Sequence, residues 1–140
     1  MALVETRFKT IMLVDDNEID NLINMKMLES CNVCQNILTH TSAKSAIEFL
    51  KNIEKIAGDE IEKFAPEVIL LDIDMPVLDG FHFLDEFENL SDKIKNYSKI
   101  VMLTSSINPK DIAKSRKNKY VVRYINKPLN QETIEKNFNF

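Results

Sequence analysis

The stretch Val68-Ile-Leu-Leu-Asp72-Ile-Asp-Met-Pro76 decides how this chain folds. Its first four residues are apolar without polar alternation, which is typical of a strand buried on both faces of a parallel sheet. Pro76 cannot donate a hydrogen bond within a sheet and disfavours helix at the residue before it, so the chain must leave the sheet soon after Asp72. Asp72 is therefore predicted to lie at the carboxyl end of a central strand, where open α/β sheets bind ligands.

Four other segments read as strands. Residues 11–14 and 100–103 are uniformly apolar and belong in the middle of a sheet, whereas residues 36–41 and 121–125 mix polar and apolar side chains and suit its edges. Helical patterns alternate with the five strands, which predicts a parallel α/β sheet with right-handed crossovers. The order 2-1-3-4-5 fits these positions and makes the first and third strands neighbours where the winding reverses.

The helical patterns predict five helices. The first is expected to begin at a cap provided by Asn17 or Asp16 and to bury Ile19, Leu22, Ile23 and Met27. The third is expected to run from about Gly80 with Phe83, Leu84, Phe87, Leu90 and Ile94 inward. Residues 54–66 suggest a lengthened helix end or an exposed insertion.

Size and charge limit the possible functions. A length of 140 residues predicts one domain, with residues 1–8 as a flexible lead-in, residues 9–140 as the folded unit and no output domain. A net charge of −4 argues against nucleic-acid binding. The chain has neither a bilayer-spanning apolar run nor a signal peptide, so the expected location is cytoplasmic, without membrane attachment.

Three minor features are given structural interpretations. A basic run is read as a solvated helix face: Lys110, Lys114, Arg116, Lys117 and Lys119. Cys31 and Cys34 have C-x-x-C spacing, but no second cysteine pair completes a zinc site, so both are expected to be structural or incidental. His40 and His82 are too isolated to form a metal site.

The predicted strand order brings several polar residues to one edge of the sheet. Asp15, Asp16 and Asp72 follow the first and third strands, while Thr104 and Lys127 lie at the ends of the fourth and fifth. Clustered carboxylates require a compensating cation, and a set of oxygen ligands favours Mg²⁺. A carboxylate, a hard cation, an ammonium and a hydroxyl together can receive a phosphoryl group, with Asp72 as the nucleophile.

Four motifs in order extend this interpretation: Asp15-Asp16, Asp72-Ile-Asp-Met-Pro-Val-Leu-Asp-Gly80, Thr104-Ser105 and Tyr124-Ile-Asn-Lys127-Pro128. From about Lys9 to its end, the chain resembles the receiver domains of two-component response regulators. The resemblance implies a flavodoxin-like, doubly wound five-stranded sheet with helices on both faces. It also implies a phosphorelay signalling domain that catalyses only its own phosphorylation and dephosphorylation, and is otherwise not an enzyme.

The resemblance assigns the phosphate chemistry to particular residues. Asp72 would accept a phosphoryl group from a histidine kinase or a histidine phosphotransfer protein. Asp16, Asp72 and the backbone carbonyl of Asp74 would bind Mg²⁺ directly, and Asp15 would act mainly through water. Lys127 would contact the phosphoryl oxygens, and its bond to Pro128 is expected to be cis.

The resemblance also assigns switching and tuning roles. Thr104 and Tyr124 would form the switch pair, and the side chains of Asp74 and Ser106 would tune dephosphorylation. A downstream protein would bind the face formed by the fourth helix, the fifth strand and the fifth helix. The family usually has glycine where this chain has Tyr120, so Asn118 is expected to take any left-handed position in that loop.

Two other classes remain as alternatives. Residues 68–74 also resemble the strand of haloacid-dehalogenase-like phosphatases, in which Asp72 would be the nucleophile. Pro76 departs from that pattern, and Asp15-Asp16 would have no role. The second alternative is a pseudo-receiver that acts only as an interaction module. Such a module does not need all five polar residues, so their presence argues against it: Asp15, Asp16, Asp72, Thr104 and Lys127. A flavin carrier is excluded because no phosphate-binding loop follows the first strand.

Overall fold

The five strands form a single parallel sheet. The computed structural model describes residues 6–73, 80–105 and 108–140, apart from the side chains of Asp111 and Ser115. The strands run in the order β2-β1-β3-β4-β5, and all four neighbouring pairs are parallel. This confirms the predicted topology, with β1 beside β3. The strands are β1 (Phe8–Val14), β2 (Cys34–His40), β3 (Val68–Asp72), β4 (Lys99–Thr104) and β5 (Val121–Asn126).

Seven helices lie in the described part of the chain, against five predicted. They are α1 (Glu18–Cys31), α2 (Ala43–Ala57), α3 (Ile61–Phe64), α4 (Gly80–Glu88), α5 (Asp92–Tyr97), α6 (Pro109–Lys117) and α7 (Gln131–Asn137). The short helix α3 lies in the 54–66 segment. The predicted fourth and fifth helices are α6 and α7. None of these helices is long and apolar enough to cross a bilayer.

The predicted helix from Gly80 to Ile94 is instead two helices. α4 ends at Glu88, and the Ser91 side chain then accepts a hydrogen bond from the backbone N–H of Ile94, which caps α5. Leu90 and Ile94 are buried as predicted, although they no longer share a helix. The spacing of the apolar residues alone is compatible with one continuous helix. Ser91 breaks it, because its side chain caps the start of a second helix.

The core lies on both faces of the sheet, because successive strand residues point to opposite sides. Met12, Ile69 and Met102 face a cluster built mainly with residues of α2 and α4, whereas Ile11, Leu70 and Val101 face one that includes residues of α1 and α7. Helices therefore cover both faces, as predicted. β1 begins at Phe8, whose side chain is buried, so the sheet starts at the last residue of the predicted lead-in.

The orientation of α1 differs from the prediction. Its buried residues are Asn21, Asn24 and Leu28, while Ile19, Leu22 and Ile23 are 68%, 50% and 55% exposed. The stripe of Asn21, Asn24 and Leu28 therefore faces the core, although the stripe of Ile19, Leu22 and Ile23 is the more apolar of the two. The reason is that Asn21 hydrogen-bonds backbone groups at the ends of β1 and β2, which a hydrocarbon side chain cannot do.

Two loop predictions had different outcomes. The Lys127-Pro128 peptide bond is cis, as expected. Asn118 does not take a left-handed conformation: among the described non-glycine residues only Asn32, the carboxyl-terminal cap of α1, has positive φ. The Asn118 side chain instead accepts a hydrogen bond from the backbone N–H of Tyr120, and the Tyr120 ring packs edge-on against Phe87.

Candidate functional site

The ends of the central strands place the polar residues that the sequence singled out at one edge of the sheet. Asp72 is the last residue of β3 and Thr104 the last of β4, while Asp15 follows β1 directly and Lys127 follows β5. Because all five strands are parallel, these positions lie at the same edge. Asp15, Asp72 and Thr104 are each at most 4% exposed, so the edge contains a buried polar centre.

Three carboxylates form the acidic part of this centre. Asp15, Asp16 and Asp72 each place an oxygen within 4.8 Å of the others. Asp15 and Asp72 are buried and Asp16 is exposed, so the cluster is open on one side. Oxygen-only ligands that leave room for water form a donor set that fits a hard divalent cation such as Mg²⁺.

Lys127 provides the compensating positive charge. Its Nζ lies 3.3 Å from Asp15 Oδ2 and 3.4 Å from Asp72 Oδ2. Burial by itself would lower the pKa of Lys127, but the neighbouring carboxylates of Asp72, Asp15 and Asp20 outweigh it, so its pKa is raised. The ammonium is therefore charged at neutral pH.

Asp20 is a member of the centre that sequence reasoning missed. Its carboxylate on the first turn of α1 lies 3.7 Å from Lys127 Nζ, and its side chain is 43% exposed. Only its position four residues after Asp16, at the start of a helix beside the acidic pair, could have suggested this role. The lysine is thus approached by carboxylates from β1, α1 and β3.

Asn21 holds the acidic loop in place and was also missed. Its Nδ2 donates to the backbone carbonyl of Asp15 at 3.0 Å and to that of His40 at 3.2 Å, and the side chain is 4% exposed. Asn17 caps α1 by accepting from the backbone N–H groups of Ile19 and Asp20. Together these bonds fix the turn that follows β1.

Gly80 allows α4 to begin against the end of β3. A Cβ at this position would lie 2.7 Å from Ile73 Cγ2, 2.8 Å from Ile73 Cα and 3.1 Å from the Asp72 carbonyl oxygen. Two of these three atoms belong to the backbone, which cannot move aside cheaply. The absence of a side chain therefore lets the helix approach the residue next to Asp72.

The remaining predicted site residues differ in how much of them the structure describes. Thr104 is fully buried, and its carbonyl accepts from the Lys127 backbone N–H at 2.8 Å. Tyr124 lies on β5, opposite Met102 of β4, and is half-buried. Asp74 and Ser106 lie outside the described residues. Cys31 and Cys34 are free cysteines at the end of α1 and the start of β2.

The topology and this centre define a class of protein: a doubly wound parallel sheet with an acidic cluster and a lysine at the point where the winding reverses. The family model of the response regulator receiver domain matches residues 11–139. The chain belongs to that family of two-component signalling domains, which are not enzymes in the usual sense.

Individual relatives agree with this assignment. A two-component response regulator from Cytophaga hutchinsonii is 28% identical, with a TM-score of 0.82 over 95% of this chain and 96% of that one. The phosphorylated cyanobacterial phytochrome response regulator RcpA is 29% identical, with a TM-score of 0.70 over 91% of this chain and 86% of that one. The sensor histidine kinase CheAY of Helicobacter pylori is 30% identical over 124 residues, which are 89% of this chain but 14% of the kinase.

Proposed function

We propose that Asp72 accepts a phosphoryl group from a phosphohistidine and that this switches a protein-binding face. The observation that carries the proposal is the position of Asp72 itself: a buried carboxylate at a strand end, within reach of Asp15, Asp16 and the Lys127 ammonium. In the transfer, the P–N bond to the donor histidine breaks as a P–O bond to an Asp72 oxygen forms. The phosphorylated state of the relative RcpA supports phosphorylation of this chain.

The acidic cluster supports a role for Mg²⁺. Asp16 and Asp72 would hold the ion directly, with the backbone carbonyl of Asp74, while Asp15 would act mainly through water. Bound there, the ion would neutralise negative charge on the phosphoryl oxygens. Asp15 and Asp72 already share the Lys127 ammonium, so the carboxylates would be held in place before the ion arrives.

Lys127 and Thr104 would stabilise the phosphoryl group once it is bound. The ammonium of Lys127 would move its contact from the carboxylates to a phosphoryl oxygen, and the hydroxyl of Thr104 would donate to another. Tyr124 would turn inward as Thr104 moves, and the change would reach the face formed by α6, β5 and α7. Asp74 and Ser106, two residues past Asp72 and Thr104, would set the lifetime of the phosphate.

An apolar patch beside the centre supports a protein as the phosphate donor. We call Ile19, Leu22 and Ile23 the apolar α1 face; all three are at least half exposed. Asp20, on the same helix, contacts Lys127, so this face borders the acidic centre. A histidine kinase or histidine phosphotransfer protein that buries these side chains would bring its phosphohistidine to Asp72.

Incubation with Mg²⁺ and a small acyl phosphate tests the proposal. We expect one acid-stable, base-labile phosphate per chain, detected by mass spectrometry and absent in Asp72→Asn. Asp85→Asn, which changes an exposed aspartate on α4, is the matched control and should retain the phosphate. Repeated turnover of the donor without a phosphorylated chain that accumulates would indicate a phosphatase. A chain that takes up no phosphate and leaves the donor intact would be a pseudo-receiver.

A further inference from the structure

The basic residues of this acidic chain are concentrated in one region. Residues 110–123 contain six of its 18 Lys and Arg residues but only one of its 22 Asp and Glu residues, Asp111. Five of the six are exposed and Arg123 is half-buried. We call these six the basic surface: Lys110, Lys114, Arg116, Lys117, Lys119 and Arg123. Since the whole chain carries −4, this surface is a local reversal of sign.

The carboxylates that the structure describes do not neutralise the basic surface. Among the residues whose side chains the structure describes, the ion pairs within 4 Å all involve other cations. Lys114 lies over an aromatic ring instead, with Nζ 4.2 Å from the centre of the Phe81 ring. Arg123 lies over another, with Cζ 5.7 Å from the centre of the Phe140 ring, and its guanidinium also donates to the Val122 carbonyl at 2.8 Å and to Asn139 Oδ1 at 3.2 Å. Such contacts position a cation without cancelling its charge. An anionic partner could therefore pair with these groups without displacing any carboxylate that the structure describes.

A groove beside β5, the outer strand of the sheet, adds apolar residues to this surface. A cavity of about 310 Å³ is lined by Arg116, Val121, Val122, Arg123 and Tyr124. Arg116 comes from the last turn of α6 and Arg123 from β5, the outer strand of the sheet. The remaining lining residues are two valines and a tyrosine of β5. The groove thus combines two guanidinium groups with valine and tyrosine residues.

We propose that this groove and the surrounding basic surface bind an acidic peptide segment of a partner protein. Arg116 and Arg123 would each pair with a carboxylate, for which the guanidinium fork is well shaped, and an apolar side chain of the peptide would lie on Val121 and Tyr124. Nucleic acid fits less well, because its phosphate backbone has no apolar side chain that could lie on the valines.

The inference rests on the proposed function in one respect. Tyr124 lines the groove and is also the proposed switch residue, so phosphorylation of Asp72 would change the shape of the groove. Peptide affinity should therefore differ between the phosphorylated and unphosphorylated chain. This gives the downstream partner a chemical description: acidic, with at least one apolar side chain.

Fluorescence anisotropy with a synthetic peptide rich in Glu and Leu tests the inference directly. We expect binding that weakens as salt is raised, and at least about a tenfold loss of affinity in Arg116→Glu/Arg123→Glu. Lys44→Glu/Lys55→Glu on α2 makes the same charge change away from the groove and should leave the affinity within about twofold. Equal losses in both pairs, or no loss in the arginine pair, would overturn the proposal.

Further measurements remove ambiguous outcomes. If the arginine reversal does not fold by circular dichroism, Arg116→Gln/Arg123→Gln replaces it and should still weaken binding. A peptide in which Lys replaces Glu should not bind. Tighter binding of single-stranded DNA than of the acidic peptide would overturn the assignment to a protein segment.

The two proposals fail in different ways. Asp72→Asn should still bind the peptide, and the arginine variants should still accept phosphate from an acyl phosphate. Normal phosphorylation without peptide binding would overturn this inference alone. Peptide binding without phosphorylation would overturn the proposed function alone, and an affinity unchanged by phosphorylation would overturn the coupling through Tyr124.

Discussion

Asn21 gives the first prediction at the scale of single residues. Asn21→Leu removes the donor to the carbonyls of Asp15 and His40, and both then lose a buried partner. We expect the free energy of unfolding in urea to fall by about 1–3 kcal/mol. Because the Asp15 carbonyl loses this hydrogen bond, Mg²⁺ affinity measured by calorimetry should also fall. If Asn21 positions the acidic loop for Mg²⁺, its replacement should lower both the free energy of unfolding and the Mg²⁺ affinity.

Asn24→Leu provides the control for that prediction. Asn24 is also buried on α1, 8% exposed, but lies about one turn further from the acidic loop. It should leave Mg²⁺ affinity unchanged whatever it does to stability. If Asn21→Leu weakened folding yet bound Mg²⁺ as tightly as the parent, Asn21 would be a structural residue only.

Lys127 yields a prediction about pH. Its pKa is raised in the folded protein, so the folded state holds the proton more tightly than the unfolded state. The stabilisation from the ammonium is therefore fully present below the ordinary lysine pKa of about 10.4 and is lost as pH rises through the folded value. Lys127→Met should be less stable than the parent by a margin that is constant from about pH 6 to 9 and shrinks above it.

Urea unfolding in metal-free buffer measures that margin. Because the Lys127 side chain is 23% exposed, solvent screens its ion pairs, and we expect about 1–2 kcal/mol. Lys55→Met, an exposed position on α2, should change stability little at any of these pH values. A margin that widened above pH 10 would contradict the direction of the shift.

The residues that the sequence predicted correctly as neighbours are those at strand ends. The sheet topology alone brings Asp15, Asp72 and Lys127 together, and apolar strand composition was enough to predict that topology. Asp20 and Asn21 could not be found in this way, because their positions depend on how α1 turns around its own axis. Helical periodicity gives the faces of a helix but not which face is buried when both carry apolar residues.

At the scale of elements, α1 carries a prediction that separates its two faces. Leu28 is fully buried, so Leu28→Ala should lower the free energy of unfolding by about 2–5 kcal/mol. Leu22 is half exposed, so Leu22→Ala should cost at most about 0.5 kcal/mol. The sequence predicted a buried Leu22, for which the cost would be large, so urea unfolding of the two variants is a direct test of the observed orientation.

The exposed face should matter for phosphotransfer rather than for folding. Leu22→Lys, which keeps the fold, should slow phosphorylation by a phosphorylated histidine phosphotransfer protein, whereas the rate with a small acyl phosphate should be unchanged. Ile56→Lys, an exposed apolar position on α2 that is 81% accessible, is the matched control and should affect neither rate. Equal slowing by both substitutions would show that the apolar α1 face has no special role.

At the scale of the whole molecule, the acidic cluster links global stability to cation concentration. Without a divalent ion, the proximity of Asp15, Asp16 and Asp72 opposes folding, because the unfolded chain lets the carboxylates separate. An ion that binds only the folded state adds a stabilisation that grows with its concentration, about 2.7 kcal/mol at 100 times its Kd. Mg²⁺ should therefore raise the free energy of unfolding of the parent chain.

Asp16→Asn should reverse the order of stability between two conditions. In the presence of a chelator the variant has one negative charge fewer in the cluster and should be more stable than the parent. In saturating Mg²⁺ it lacks a direct ligand and should gain little, so the parent should overtake it. Asp85→Asn removes a charge outside the cluster and should behave like the parent in both conditions. NaCl at the same ionic strength as the Mg²⁺ buffer is a second control, since it screens charge without providing a divalent ion. If Mg²⁺ raised the free energy of unfolding of the parent and of Asp16→Asn by the same amount, the ion would not bind at this cluster, because the loss of a direct ligand should reduce the stabilisation.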